Sequence, residues 1–104
     1  MLEPLYTEIK ERQKFPQEGS YTNYLFTKGL DKILKKVGEE ASEVIIAAKN
    51  ENQAELVSEV ADLAYHVLVL LAEKNVSLSE VTAELTKRQG KISQTTDRKE
   101  IEKL

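Results

Sequence analysis

The stretch Asp31-Lys32-Ile33-Leu34-Lys35-Lys36-Val37-Gly38-Glu39-Glu40-Ala41-Ser42-Glu43-Val44-Ile45-Ile46-Ala47-Ala48-Lys49 decides the fold. At about 100° per residue, Leu30, Ile33, Val37, Ala41, Val44 and Ala48 fall on one side, the stripe of an amphipathic helix. After a turn at Asn50 to Gln53, a second long helix is expected from about Ala54 to Lys74. Its apolar face is read as Leu56, Val60, Leu63, Ala64, Val67 and Leu71. Ile46 and Val69 fall on the far sides of these helices, where a lone chain would expose them. Two apolar faces per helix predict a homodimer.

Outward from this pair, the punctuation is sparse, with four glycines and two prolines. A first helix is expected from about Pro4 to Phe15, opened by a proline at a position where the missing N–H costs nothing. Pro16 to Ser20 reads as a loop, and Ser20 as the cap of a short helix from Tyr21 to Phe26 that ends near Gly29. Asn75 ends the second long helix, and Ser77 or Ser79 caps a last one through Arg88. The fold class is all-α, a bundle of about four helices completed by homodimerisation. Residues 1–90 form the domain and residues 91–104 a polar C-terminal tail.

At 104 residues the chain is one domain, short for enclosing a substrate alone, which favours a site shared between subunits. It has no cysteine, so neither disulfides nor thiolate metal sites arise. Fifteen basic residues against eighteen acidic ones give a net charge of −3, which argues against nucleic-acid binding. The N-terminal segment carries Glu3, Pro4 and Glu8, unlike a signal peptide, and the longest apolar run, Val67 to Ala72, is too short to span a membrane. A cytoplasmic protein with no membrane and no nucleic-acid partner is expected.

Beside each apolar stripe runs an acidic one. Glu40 and Glu43 are three residues apart and stack on one flank, with Glu39 starting the cluster, and Glu59 and Asp62 repeat the spacing on the second helix. Asp62 lies in the run Val60-Ala61-Asp62-Leu63-Ala64, where a carboxylate is costly unless a positive charge meets it. Four carboxylates on two antiparallel helices make a hard-oxygen cage suited to Mg2+, with Mn2+ as the alternative, rather than to zinc. The competing reading is a solvated face, since such pairs occur on any charged helix. Upstream, Lys28, Lys32, Lys35 and Lys36 form a basic set; Lys28, Lys32 and Lys36 can neutralise phosphate beside a metal, whereas Lys35 reads as an exposed ion-pairing residue. His66, the sole histidine, follows Asp62 by four and reads as a structural or outer-sphere partner. Tyr21, Tyr24 and Tyr65 could stack on a base, with core or interface packing as the alternative. There is no phosphate-binding P-loop and no glycine-rich dinucleotide turn, so any phosphates must be held by metal and lysine.

The block from Gly19-Ser20-Tyr21-Thr22-Asn23-Tyr24-Leu25-Phe26 through Lys28-Gly29-Leu30-Asp31-Lys32 to Gly38-Glu39-Glu40 closely resembles the phosphoribosyl-ATP pyrophosphohydrolases. These belong to the all-alpha nucleoside triphosphate pyrophosphohydrolases, marked by Glu-x-x-Glu followed by Glu-x-x-Asp, which Glu40, Glu43, Glu59 and Asp62 match. The likeness continues through Ala61-Asp62-Leu63-Ala64-Tyr65-His66 to about Arg88. It implies a helical dimer and a magnesium-dependent hydrolase of histidine synthesis that cleaves phosphoribosyl-ATP between its alpha and beta phosphates, leaving phosphoribosyl-AMP and pyrophosphate. In that setting Glu40, Glu43, Glu59 and Asp62 hold the metal, Glu39 orients or deprotonates water with Glu40 as the second catalytic candidate, and Lys28, Lys32 and Lys36 bind phosphate. Two rivals are a pyrophosphohydrolase of free nucleoside triphosphates and a dimeric helical adaptor whose acidic stripe is only a surface.

Overall fold

The computed structural model describes residues 1–91, which form five helices: α1 (Leu2–Lys14), α2 (Tyr21–Lys28), α3 (Leu30–Lys49), α4 (Gln53–Glu73) and α5 (Leu78–Arg88). The class is all-α, as the periodicity indicated. Apart from Lys91, the tail assigned to residues 91–104 lies outside the described residues.

Most helix ends follow from local chemistry. Ser20 accepts a hydrogen bond from the Asn23 N–H at 3.3 Å and caps α2. Asn52 does the same for α4 through the Glu55 N–H at 3.0 Å. Ser77 and Glu80 form a reciprocal capping box at the start of α5. Asn75, at φ 60, turns the chain out of α4 while the Val76 N–H reaches back to the Leu71 carbonyl at 2.8 Å. Between α2 and α3 stands one residue, Gly29 at φ 94. Its N–H closes α2 on the Leu25 carbonyl at 3.0 Å, and its own carbonyl accepts the Ile33 N–H at 3.2 Å. That backbone conformation needs glycine.

The core gathers Ile9, Leu25, Ile33, Leu68, Val69, Ala72 and Leu78, with Leu5, Tyr6, Phe26, Tyr65, Leu70 and Leu71 packed around it. Polar ties fasten α1 to the end of α4. The Tyr6 hydroxyl donates to the Val76 carbonyl at 2.6 Å, and the Gln13 amide to that of Ala72 at 3.3 Å. Asn23 donates to the Arg12 carbonyl at 2.7 Å and accepts from the Gln17 N–H, which joins α2 to α1 and the loop.

The faces of α4 differ from the sequence expectation. Val69, expected on the exposed side, is fully buried, whereas Val60, assigned to the inner stripe, is 48% exposed. Residues 63–72 are apolar nearly all round, so periodicity could not say which side faces inward. The packing of α1 and α2 on this part of the molecule settles it. On α3 the buried row is Ile33, Glu40 and Ala47, seven residues apart; Leu30, Val37, Ala41 and Val44 are half-buried and Ala48 is exposed. The far end of the α3–α4 hairpin exposes Ile45, Ile46 and Val57 as well as Val60.

Candidate active site

Glu40 occupies the position in the inward row of α3 where an aliphatic residue would complete the pattern of Ile33 and Ala47. It is 7% exposed. One turn on, Glu43 leans from α3 toward Glu59 of α4, and the three carboxylates each present an oxygen within 4.8 Å of the others. Glu40 Oε2 and Glu59 Oε2 are buried and meet no hydrogen-bond donor among the described residues. An unpaired carboxylate oxygen out of water is costly, so this arrangement calls for a proton or a cation.

The charges respond accordingly. Glu59 is pushed up to about 7, first because a proton shared with Glu43 lets the two carboxylates meet, then through lost hydration and the charges of Glu43, Glu40 and Asp62. Burial is the main force raising Glu40, with Glu43 and Asp62 adding to it while Lys36 and His66 oppose it. The Lys36 ammonium lies 3.4 Å from Glu39 Oε1 and 3.8 Å from Glu40 Oε1. Partial burial disfavours the Lys36 charge, yet Tyr21, Glu39 and Glu40 outweigh it and hold the amine above its ordinary value.

The sequence-derived residues separate into three groups. Glu40, Glu43 and Glu59 converge. Asp62 is near enough to load them electrostatically but is exposed and stands outside the triad, contrary to the apolar surroundings its neighbours in sequence suggested. Glu39 is directed to Lys36 rather than into the triad. Lys28 and Lys32 gather elsewhere, their ammonium groups 5.8 and 6.0 Å from the centre of the Tyr24 ring.

Sequence reasoning left the aromatic side of the site open. His66 is 4% exposed, and its Nδ1–H donates to the Asp62 backbone carbonyl at 2.7 Å, not to the carboxylate. A carbonyl only accepts, so Nδ1 carries a proton, and Nε2 is hydrogen-bonded to the Tyr21 hydroxyl at 3.0 Å, accepting from it when the ring is neutral. Tyr21 stacks against Tyr24 and Tyr65, at 5.9 and 6.2 Å between centroids. The Tyr65 hydroxyl bonds to that of Thr22. Tyr21 and His66 are 45 positions apart, so no local pattern announces their contact. The core or interface packing raised as the alternative for the tyrosines was the available signal.

Hard carboxylate oxygens from two helices, two of them orphaned, fit a divalent cation of the magnesium type. With lysines alongside, the arrangement can hold and neutralise an oligophosphate.

Comparison with known proteins adds an independent line. Residues 2–89 match the family described as Phosphoribosyl-ATP pyrophosphohydrolase. The chain is 74% identical to a phosphoribosyl-ATP pyrophosphatase of Listeria welshimeri over the full length of both proteins. Similarity extends to enzymes of the same name from Lactiplantibacillus plantarum, 61% identical over 99% of this chain and 97% of that one, and from Bacillus cytotoxicus, 56% identical over 100% and 97%.

Proposed function

The chain belongs to the phosphoribosyl-ATP pyrophosphohydrolase family, and from that premise we propose how it works. It hydrolyses phosphoribosyl-ATP to phosphoribosyl-AMP and pyrophosphate, the second step of histidine biosynthesis, at a divalent cation held by Glu40, Glu43, Glu59 and Asp62. The observation that carries this reading is the meeting of three carboxylates from two helices around two buried oxygens without donors. Magnesium is the ion of choice, and manganese, also a hard cation, is the substitute.

When bound, the cation supplies charge neutralisation to the phosphates and acidity to water. The chain's own groups do the rest. Lys36, beside Glu39 and Glu40, offsets the fourth carboxylate's worth of charge and meets the phosphate nearest the metal. Lys28 and Lys32 bind the phosphates from the Tyr24 side. Glu39, exposed and reachable, orients water and takes its proton as the water oxygen bonds to phosphorus and the alpha–beta anhydride breaks. Glu40 holds its place in the buried row and so fixes the distance between the helices at the site.

Ile45, Ile46, Val57 and Val60 form an aliphatic face on the α3–α4 hairpin, and a second copy of the chain is its occupant. The expected sedimentation mass is twice 11.8 kDa. No helix among the described residues is long and apolar enough to cross a membrane, which accords with a cytoplasmic enzyme.

Pyrophosphate release from phosphoribosyl-ATP, measured with magnesium or with EDTA on wild type, Glu43→Gln and Asp62→Asn, tests substrate and site together. Turnover that requires metal and is lost in both variants is expected. No turnover by folded wild type, or full turnover in EDTA, overturns the reading.

A further inference from the structure

Resting on that reading, we propose that the cleft walled by Tyr21 and Tyr24 is the subsite for the substrate's purine base, stacked on these rings while its phosphates run past Lys28 and Lys32 to the carboxylates. The cleft, about 640 Å³, lies on the outer side of α2 against the loop before it. Its volume falls within the ~300–1,000 Å³ of small-molecule sites. Tyr21 and Tyr24 are 45% and 42% exposed, so both rings offer surface to a ligand.

Both residues line the cleft, and each has a second set of contacts. Tyr24 lines the cleft and carries the Lys28 and Lys32 ammonium groups near its ring. Tyr21 lines the cleft and sends its hydroxyl to His66, one turn from Asp62. The hydrogen bond holds the Tyr21 ring, and Tyr24 stacks against it with centroids 5.9 Å apart and a tilt of 21°. A pre-set aromatic surface binds a base at low entropic cost. Cations beside the Tyr24 ring match the polarity of a nucleotide, whose apolar base is followed by an anionic chain. Asn23, which also lines the cleft, has its amide committed to Arg12 and Gln17 and so holds the wall in shape, leaving Gln17 and Thr27 to meet the edge of the base. None of the aliphatic residues that suit a second copy, Ile45, Ile46, Val57 and Val60, lines the cleft.

The test uses the full chain without metal and follows tyrosine ring signals by NMR, assigned with the Tyr24→Ala variant, during titration with AMP or ribose 5-phosphate. AMP is expected to shift the Tyr21 and Tyr24 rings saturably, and ribose 5-phosphate, which lacks the base, is not. Tyr24→Ala should weaken AMP binding, and raise KM for phosphoribosyl-ATP, by about tenfold or more, with kcat changing far less. Tyr24→Phe, which keeps the stacking face, should restore both. Equal shifts with both probes, no saturable shift with AMP at millimolar concentration, or unchanged AMP binding in Tyr24→Ala would overturn the proposal. Failure of wild type to release pyrophosphate would instead strike the catalytic reading, and the AMP titration would still decide the cleft.

Discussion

The two ends of the α3–α4 hairpin are built on opposite terms. Where α1 and α2 pack against it, Ile33, Leu68, Val69 and Ala72 are buried and nearly every helix end nearby is capped or tied. Toward the turn at residues 50–52, only Ala47 is buried, four aliphatic side chains are exposed, and the three carboxylates crowd together at the boundary. Apolar burial is thus concentrated in one half, and the candidate site sits where the fold is least self-sufficient. The difference teaches that the acidic cluster is tolerated because the other half stabilises the helices that carry it.

Glu40→Gln tests this most severely. Loss of a metal ligand is expected to lower kcat by ~10³-fold, corresponding to several kcal/mol of charge stabilisation. The metal-free variant should melt above metal-free wild type, because a buried carboxylate without a donor is relieved. A variant that keeps activity, or that melts lower without metal, would break the contrast between the halves.

Ile33 and Ile46 then compare one residue type at the two ends of one helix. Ile33→Ala, in the sealed core, should cost ~2–5 kcal/mol in denaturant titration regardless of protein concentration. Ile46→Ala should cost within ~0.5 kcal/mol in the folded single chain, its main effect being dissociation of the dimer on dilution. Equal costs at both sites would erase the distinction.

The pH dependence sharpens the electrostatic side. Below 4.5 Glu59 is protonated whether the chain is folded or not. As pH climbs, the unfolded chain ionises there first, while the folded one holds its proton up to about 7. Metal-free stability therefore falls across that window and levels off above it. On the proposed reading a divalent cation requires the deprotonated carboxylates, so stabilisation by added magnesium should grow over the same range. A metal-free melting curve that rises from pH 5 to 7 would contradict the shared proton. The smallest effect is expected at the well-ordered end, where Ser77→Ala removes a cap and should cost ~1 kcal/mol with activity retained.

Helix number, order and ends were largely legible because their determinants are local: Ser20, Asn75 and Ser77 act on residues within a few positions. The shared flank of Glu40 and Glu43 was legible for the same reason, since a three-residue step stays on one side of a helix, whereas their meeting with Glu59 is a contact between α3 and α4. Three other features were not legible. The inward face of α4 depends on which helices cover it, so Val69 was misplaced, and Asp62 turned out exposed because neighbours in sequence are not neighbours in space. The Tyr21–His66 bond joins α2 to α4, and nothing short-range encodes it.

Gly29 gives the arrangement a mechanical character. Because it is the single residue between the two helices, the angle between α2, which carries Tyr21 and Tyr24, and α3, which carries Glu40 and Glu43, turns on its two backbone dihedrals. With open space where a Cβ would stand, any penalty for replacing this glycine is torsional rather than steric.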